Sequence, residues 1–247
     1  VSSADGARLT TTFAKTWIVN LPERTDRRRA TEAELRRLGL EARPGGDVEF
    51  VAASRPPDAG GFPSVGARGC FESHHALVKR ARAMRLPAVL VCEDDVEFAP
   101  HLPEVLDDVL DQLDALTWDF AYLGHTLSVR SPDPAARWVR YRRGLDTTHC
   151  YALSARVLPA LDAFLDALLE RPADHPDGGP MHVDGAYADF RSYHPETLTY
   201  VAAPSLARQR PTWSDIHPSR VDSSRLPKPV VNVARRVRRE LAARSRR

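Results

Sequence analysis

The sequence predicts an α/β fold, a three-layer α/β/α sandwich around a mostly parallel central sheet. Three observations predict it. Short β-rich runs alternate with amphipathic helical runs along most of the chain. One of those runs, "AVLVCE" (88–93), is apolar at nearly every position rather than every second one, the mark of a strand covered on both faces. With 247 residues, 43% hydrophobic and 28% charged, the chain can bury a sizeable core in one large domain or two small ones.

The elements follow in order. "TWIVNL" reads as the first strand, ending at Asn20 and Leu21. In the next stretch Thr25 or Asp26 can cap a helix whose apolar positions Ala30, Leu35 and Leu38 share a face, with Gly39 as its stop. "DVEFVAA" is the second strand, and a Pro/Gly loop leads to a helix with Phe71, His74, Leu77, Val78 and Ala81 on one side. After the central strand, Leu102, Val105, Leu106, Val109, Leu113 and Leu116 form the buried stripe of another helix. "WDFAYLG" returns as a strand, and "WVRYRRGLDTTHCYALS" suggests two short strands around a turn at Gly144. "ARVLPALDAFLDALLE" is helical; a breaker-rich loop, the mixed segment "HVDGAYADF" and a last strand, "LTYVAAP", complete the domain. Residues 1–15 are expected as an N-terminal tail, 16–218 as the globular domain, and 219–247 as a linker and basic amphipathic tail.

Charge and cysteines narrow the function. A formal net charge of +2 gives no reason to expect a nucleic-acid partner. Cys70, Cys92 and Cys150 have spacings that suit neither a disulfide framework nor a zinc knuckle, so they read as reduced thiols of a cytoplasmic protein. No run approaches the roughly 18 apolar residues of a membrane span, and residues 1–15 lack the apolar core of a secretory signal. In the tail, Val230, Val233, Val237 and Leu241 form a stripe among seven arginines from Arg235 onward, a pattern suited to peripheral contact with an anionic membrane or to packing on the domain.

The chemistry concentrates at "AVLVCEDDVEF", where a buried strand runs into Glu93, Asp94 and Asp95. In open α/β sheets ligands gather beyond the carboxyl ends of the strands. Adjacent carboxylates repel one another near a low-dielectric interior. A divalent cation such as Mg²⁺ or Mn²⁺ would offset that repulsion and complete its shell with phosphate oxygens; the plain alternative is a solvated acidic turn.

"VCEDDVEF" resembles the strand-end acidic motif of glycosyltransferase family 25, which includes lipooligosaccharide and procollagen galactosyltransferases. Four further blocks resemble that family in order: "IVNLPERTDRR", "GARGCFESHHAL", "TTHCYALS" and "PSLARQRPTWSDI". The resemblance implies a GT-A-like sandwich that transfers a sugar, galactose or a related hexose, from a nucleoside-diphosphate sugar such as a UDP-sugar to an acceptor hydroxyl with inversion. It implies Mn²⁺ or Mg²⁺ held by Asp95, with Glu93 and His217 as further ligands. Glu93 or Asp94 would bind the ribose or a metal-bound water, and Asn20, Ser73, His74 and Gln209 would lie in the donor site. Arg27 and Arg28 meet the diphosphate or sit on a solvated helix face. Asp184 is the expected base for the acceptor hydroxyl, a glycan, lipid-linked or other alcohol. Its alternative is a helix cap, and Asp189 and Asp215 are rivals. Two other functions compete: a metal-dependent nucleotidyltransferase or phosphohydrolase, for which no "GxxxxGK[ST]" loop is present, and a non-catalytic sugar-nucleotide-binding domain.

Overall fold

A computed structural model describes residues 3–145 and 147–211. Its core is a seven-stranded sheet in the order β2-β1-β3-β7-β5-β8-β6, built from β1 (Lys15–Asn20), β2 (Val48–Ala52), β3 (Ala88–Glu93), β5 (Phe120–Tyr122), β6 (Trp138–Arg140), β7 (Cys150–Ser154) and β8 (Thr199–Ala202). β2, β1, β3, β5 and β8 run one way, and β7 and β6 reverse. A small second sheet pairs β4 (Val96–Phe98) with β9 (Ala207–Gln209), antiparallel.

Helices cover both faces. On one side α1 (Ser3–Thr12), α2 (Thr25–Arg37) and α4 (Leu102–Asp114) share a core with Ile18, Leu90 and Cys92. On the other, α3 (Val65–Ala83), α5 (Leu158–Glu170) and α6 (Val183–Tyr193) pack on Trp17, Val89 and Val91. Strand alternation divides β3 between the two cores residue by residue. The five apolar residues of β3 are all buried, which is why the run shows no alternation. In α4 the stripe buries Leu102, Leu106, Val109, Leu110 and Leu113, each contributing about 1.5–3 kcal/mol relative to exposure.

Three details differ from the sequence expectation. Residues 3–12 form a helix rather than a tail, because Leu9 and Phe13 are apolar enough to close the core below α4. Neither Thr25 nor Asp26 caps α2: the N-cap position is Arg24, with no side-chain cap bond, and Asp26 pairs with the Arg24 guanidinium instead. The strands either side of Gly144 are not partners, since β6 joins β8 while β7 inserts between β3 and β5. Val96 and Phe98, which flank the acidic run, belong to the second sheet, and their apolar character comes from pairing with β9 over the core. Gly39 ends the α2 segment with a φ of 71°, as its position predicted.

Candidate active site

The carboxyl ends of β1 and β3 lie side by side, with Val19 opposite Glu93. Beyond them the chain turns through Asp94 and Asp95 into β4. β9 closes over this turn: Gln209 pairs with Val96, and the Arg210 amide donates to the Asp95 carbonyl at 2.6 Å. The turn is thus pinned by strands from both ends of the chain.

The three acids have different surroundings. Asp94 faces α2 and is saturated. Asn20 Nδ2 donates to one carboxylate oxygen at 2.7 Å and Arg27 Nη1 to the other at 2.8 Å. The Thr31 hydroxyl donates to the Asp94 carbonyl at 2.7 Å. Asp95 is 8% exposed, its Oδ2 lies 3.5 Å from Arg27 Nη1, and its Oδ1 is buried without a hydrogen-bond partner among the described residues. Burial raises its pKa, against the pull of Arg27. Glu93 turns the opposite way, toward α3, where its carboxylate accepts from the Thr148 hydroxyl at 2.9 Å and lies 3.9 Å from His74 Nε2. Burial, then the charge of Asp95, pushes Glu93 up to about 8.

Arginine provides part of the positive charge that the acidic run requires. Arg27 bridges Asp94 and Asp95, and Arg210 adds its field at Asp95. Arg210 Nη2 donates to the Val96 carbonyl at 3.2 Å, whereas its Nη1 is buried without a hydrogen-bond partner among the described residues.

On the α3 side His74 is fully buried, its Nδ1 2.7 Å from the Tyr151 hydroxyl, which lies 3.0 Å from that of Tyr187. Burial lowers His74 to about 4, so the ring is neutral at pH 7. Cys70, one helical turn earlier, is half-buried beside it. Its thiol pKa is pushed well up by burial and by the anions Glu93, Asp184 and Asp95, so all three carboxylates act on one sulfur. Gly69 brings this part of α3 close to the loop after β2: a Cβ there would meet the Ser54 carbonyl at 2.7 Å.

Of the residues expected from the sequence, Asn20, Arg27, His74, Glu93, Asp94, Asp95 and Gln209 line or adjoin the turn. Asp184 lies in the first turn of α6 without capping it; the N-cap is His182. Its carboxylate accepts from the Gly185 amide at 2.8 Å. Asp189 lies further along α6, near Gly178 in the preceding loop. Arg28 points away: it is exposed, pairs with Glu32 at 3.0 Å, and covers Phe50. Ser73 holds α3 to the chain, accepting from the Ser54 amide at 2.8 Å and donating to the Gly69 carbonyl. Asp215, His217 and the 219–247 tail lie outside the described residues. Thr31, Thr148, Tyr151 and Arg210 escaped sequence reasoning. Thr148 and Arg210 stood inside resembling blocks, but no local pattern shows that a threonine will reach the Glu93 carboxylate, or an arginine the acidic turn, from more than fifty residues away.

The family model for glycosyltransferase family 25 (LPS biosynthesis protein) matches residues 59–209. The chain belongs to glycosyltransferase family 25. The family match contains the α3 residues, the acidic turn, Thr148, Asp184 and Gln209, while Asn20 and Arg27 lie before it. The human protein described as inactive glycosyltransferase 25 family member 3 is 28% identical over 129 residues, 45% of this chain and 22% of that protein. Its probable inactive counterpart in Rattus norvegicus is 34% identical over 103 residues, 40% of this chain and 16% of that protein. A glycosyltransferase 25 family member of Aedes aegypti, not described as inactive, is 30% identical over 115 residues, 46% of this chain and 17% of that protein. These alignments span about a fifth or less of the family 25 relatives' length.

Among solved structures, a glycosyltransferase involved in glycosylation of the major capsid of PBCV-1 has a TM-score of 0.40 at 9% identity, covering 90% of this chain and 98% of that one. Mouse xyloside xylosyltransferase 1 in its apo form has a TM-score of 0.37 at 12% identity, covering 81% and 79%. Likenesses at these scores carry no weight in the family 25 assignment.

Proposed function

We propose that this family 25 protein is a GT-A-like glycosyltransferase, moving a sugar from a nucleoside-diphosphate donor to an acceptor hydroxyl with inversion. The observation that carries the reading is Asp95, a nearly buried carboxylate at the carboxyl edge of parallel strands whose Oδ1 has no hydrogen-bond partner among the described residues. A buried unpartnered carboxylate oxygen is costly, so a structure that retains one has a use for it. The hard oxygen donors of Asp95 and neighbouring Glu93 fit Mn²⁺ or Mg²⁺. Bound there, such an ion would supply positive charge to a diphosphate leaving group.

The chain's own residues do the rest. Arg27 and the unpartnered Arg210 Nη1 offer fixed positive charge to departing phosphate oxygens, an arrangement that needs no reorganisation as charge develops. Asn20 and Arg27 hold Asp94 and keep the turn rigid. Asp184, on the α6 side, takes the proton of the attacking acceptor hydroxyl, which displaces the diphosphate in one step. A UDP-hexose such as UDP-galactose is the donor class, and a glycan or lipid-linked alcohol the acceptor.

A second reading is favoured by a specific observation: Arg27 already neutralises part of the acidic turn, and the human relative is described as inactive. On that reading the domain binds a sugar nucleotide without turning it over. One experiment separates the two. The protein is titrated calorimetrically with UDP, with and without Mn²⁺, and incubated with a panel of UDP-sugars while free sugar is measured. Mn²⁺-dependent binding with slow donor hydrolysis supports the transferase, since a transferase leaks sugar to water. Binding without hydrolysis gives the binding domain, and no binding overturns both.

A further inference from the structure

Cys70, His74 and Glu93 place a sulfur, a ring nitrogen and a carboxylate oxygen within 4.8 Å of one another. We propose that these three residues form a site for a soft divalent transition metal, zinc foremost, which competes with the sugar-nucleotide site for Glu93. The proposal uses ligands on α3 that the transfer reaction does not need.

His74 is already prepared as a ligand. Its ring is fully buried, and among the described residues its Nε2 has no hydrogen-bond partner and its nearest carboxylate oxygen, on Glu93, stands 3.9 Å away. That separation is too long for a hydrogen bond. The other nitrogen, Nδ1, lies 2.7 Å from the Tyr151 hydroxyl, which can pass its own proton toward Tyr187 at 3.0 Å. Donation from Nδ1 to Tyr151 leaves the Nε2 lone pair facing the cluster. A metal-bound histidine is usually fixed in this way, by a second-shell acceptor on its other nitrogen.

Thiolate and imidazole select zinc and related metals over magnesium or manganese, which prefer all-oxygen shells. Cysteine, histidine and a carboxylate make three protein ligands, leaving a fourth tetrahedral position for water. Tetrahedral zinc sites place neighbouring donor atoms about 3.4 Å apart, so the widest separation in the cluster closes by at most about 1.4 Å. Two ligands lie one helical turn apart on α3 and the third is held by Thr148. Cys70 and Glu93 are half-buried, which leaves an approach to the cluster. Binding releases the Cys70 thiol proton and, because Glu93 is raised to about 8, the Glu93 carboxyl proton to solvent, and the dication offsets the thiolate and carboxylate so formed, with Asp95 and Asp184 nearby. His75, Asp162 and Asp166 form the other candidate cluster among the described residues, but Arg82 and Lys79 already neutralise its carboxylates.

The test is cobalt substitution of the metal-free full chain. Co²⁺ is expected to bind at one equivalent with a thiolate-to-cobalt charge-transfer band in the near ultraviolet, and one equivalent of Zn²⁺ should abolish it. Cys70→Ser should lose the band while Cys150→Ser keeps it, and His74→Gln and Glu93→Gln should each weaken cobalt binding about tenfold or more. Circular dichroism confirms folding of each variant. Independently of any variant, Zn²⁺ should slow alkylation of Cys70 in the wild-type protein, read by peptide mass spectrometry. Absence of a thiolate band in the wild type, its persistence in folded Cys70→Ser, or unchanged Cys70 alkylation under Zn²⁺ would overturn the proposal. None of these readouts involves a nucleotide, so failure here leaves the transferase reading standing.

Discussion

The two faces of the acidic turn contrast in how completely their polar groups are satisfied. Toward α2, Asp94 has both carboxylate oxygens and its carbonyl bound by Asn20, Arg27 and Thr31. Toward α3 and the turn's open side, Asp95 Oδ1 and His74 Nε2 have no hydrogen-bond partner among the described residues, and Glu93 is held through Thr148. Residues adjacent in sequence therefore have different surroundings: one side is a saturated clamp, and the other carries polar atoms unpaired among the described residues. The alternation of β3 sends Glu93, its last residue, toward α3, and the turn beyond the strand sets Asp94 against α2.

The largest expected effect sets the two aspartates against each other. Asp94→Ala removes the partner of a nearly buried arginine and should destabilise the fold by about 3–5 kcal/mol, read from the denaturation midpoint. Asp95→Asn breaks no close hydrogen bond of its side chain and should leave stability nearly unchanged while Mn²⁺-dependent UDP binding falls. Equal destabilisation by the two would erase the contrast.

The open side is sharpened next by Asp184→Asn. It should cut sugar transfer by about 10² to 10⁴ with donor affinity nearly intact, the usual scale of general-base catalysis. Full transfer activity in this variant would exclude Asp184 and move the search to Asp189 or Asp215.

A third prediction concerns acid. In metal-free protein His74 titrates near 4, below the ordinary 6.5, because burial disfavours the charged ring. The unfolded chain therefore takes up the proton first, and stability is lost as pH falls from about 6.5 to about 4. The contribution is on the order of 3 kcal/mol; Glu93, raised to about 8, gains stability for the fold over the same range and offsets it, so the limb is read by chemical denaturation as the pH-dependent difference between wild type and His74→Gln. A difference that does not vary with pH, in a folded variant, would place the titrating group elsewhere.

The smallest expected effect concerns Ser73, expected in the donor site and seen bound to Ser54 and Gly69. Ser73→Ala should cost about 1 kcal/mol, the worth of its bonds to Ser54 and Gly69. It should leave UDP affinity unchanged; a loss of affinity at unchanged stability would return Ser73 to the donor site.

The sequence by itself determined the α/β layering, because helical and strand periodicities differ and the unbroken apolar run of β3 can only be central. It also located the acidic turn at the end of that strand, since composition changes there within a single residue. Five resembling blocks in order pointed to family 25, and the family match extends over 59–209. Only the tertiary structure decided what each acid touches. Arg27 and Arg28 are neighbours with the same side chain, yet α2 turns the first onto Asp94 and the second into solvent against Glu32. Cysteine spacing alone gave no metal site, because the ligands that join Cys70 are a histidine one turn along α3 and a glutamate from another element. Thr148 and Arg210 meet Glu93 and Asp95 through β7 and β9, by strand pairings that close long loops. Short-range patterns record which face a residue takes within its own element; the partner across the sheet is set by how the elements pack, and a single sequence does not carry that packing in any local form.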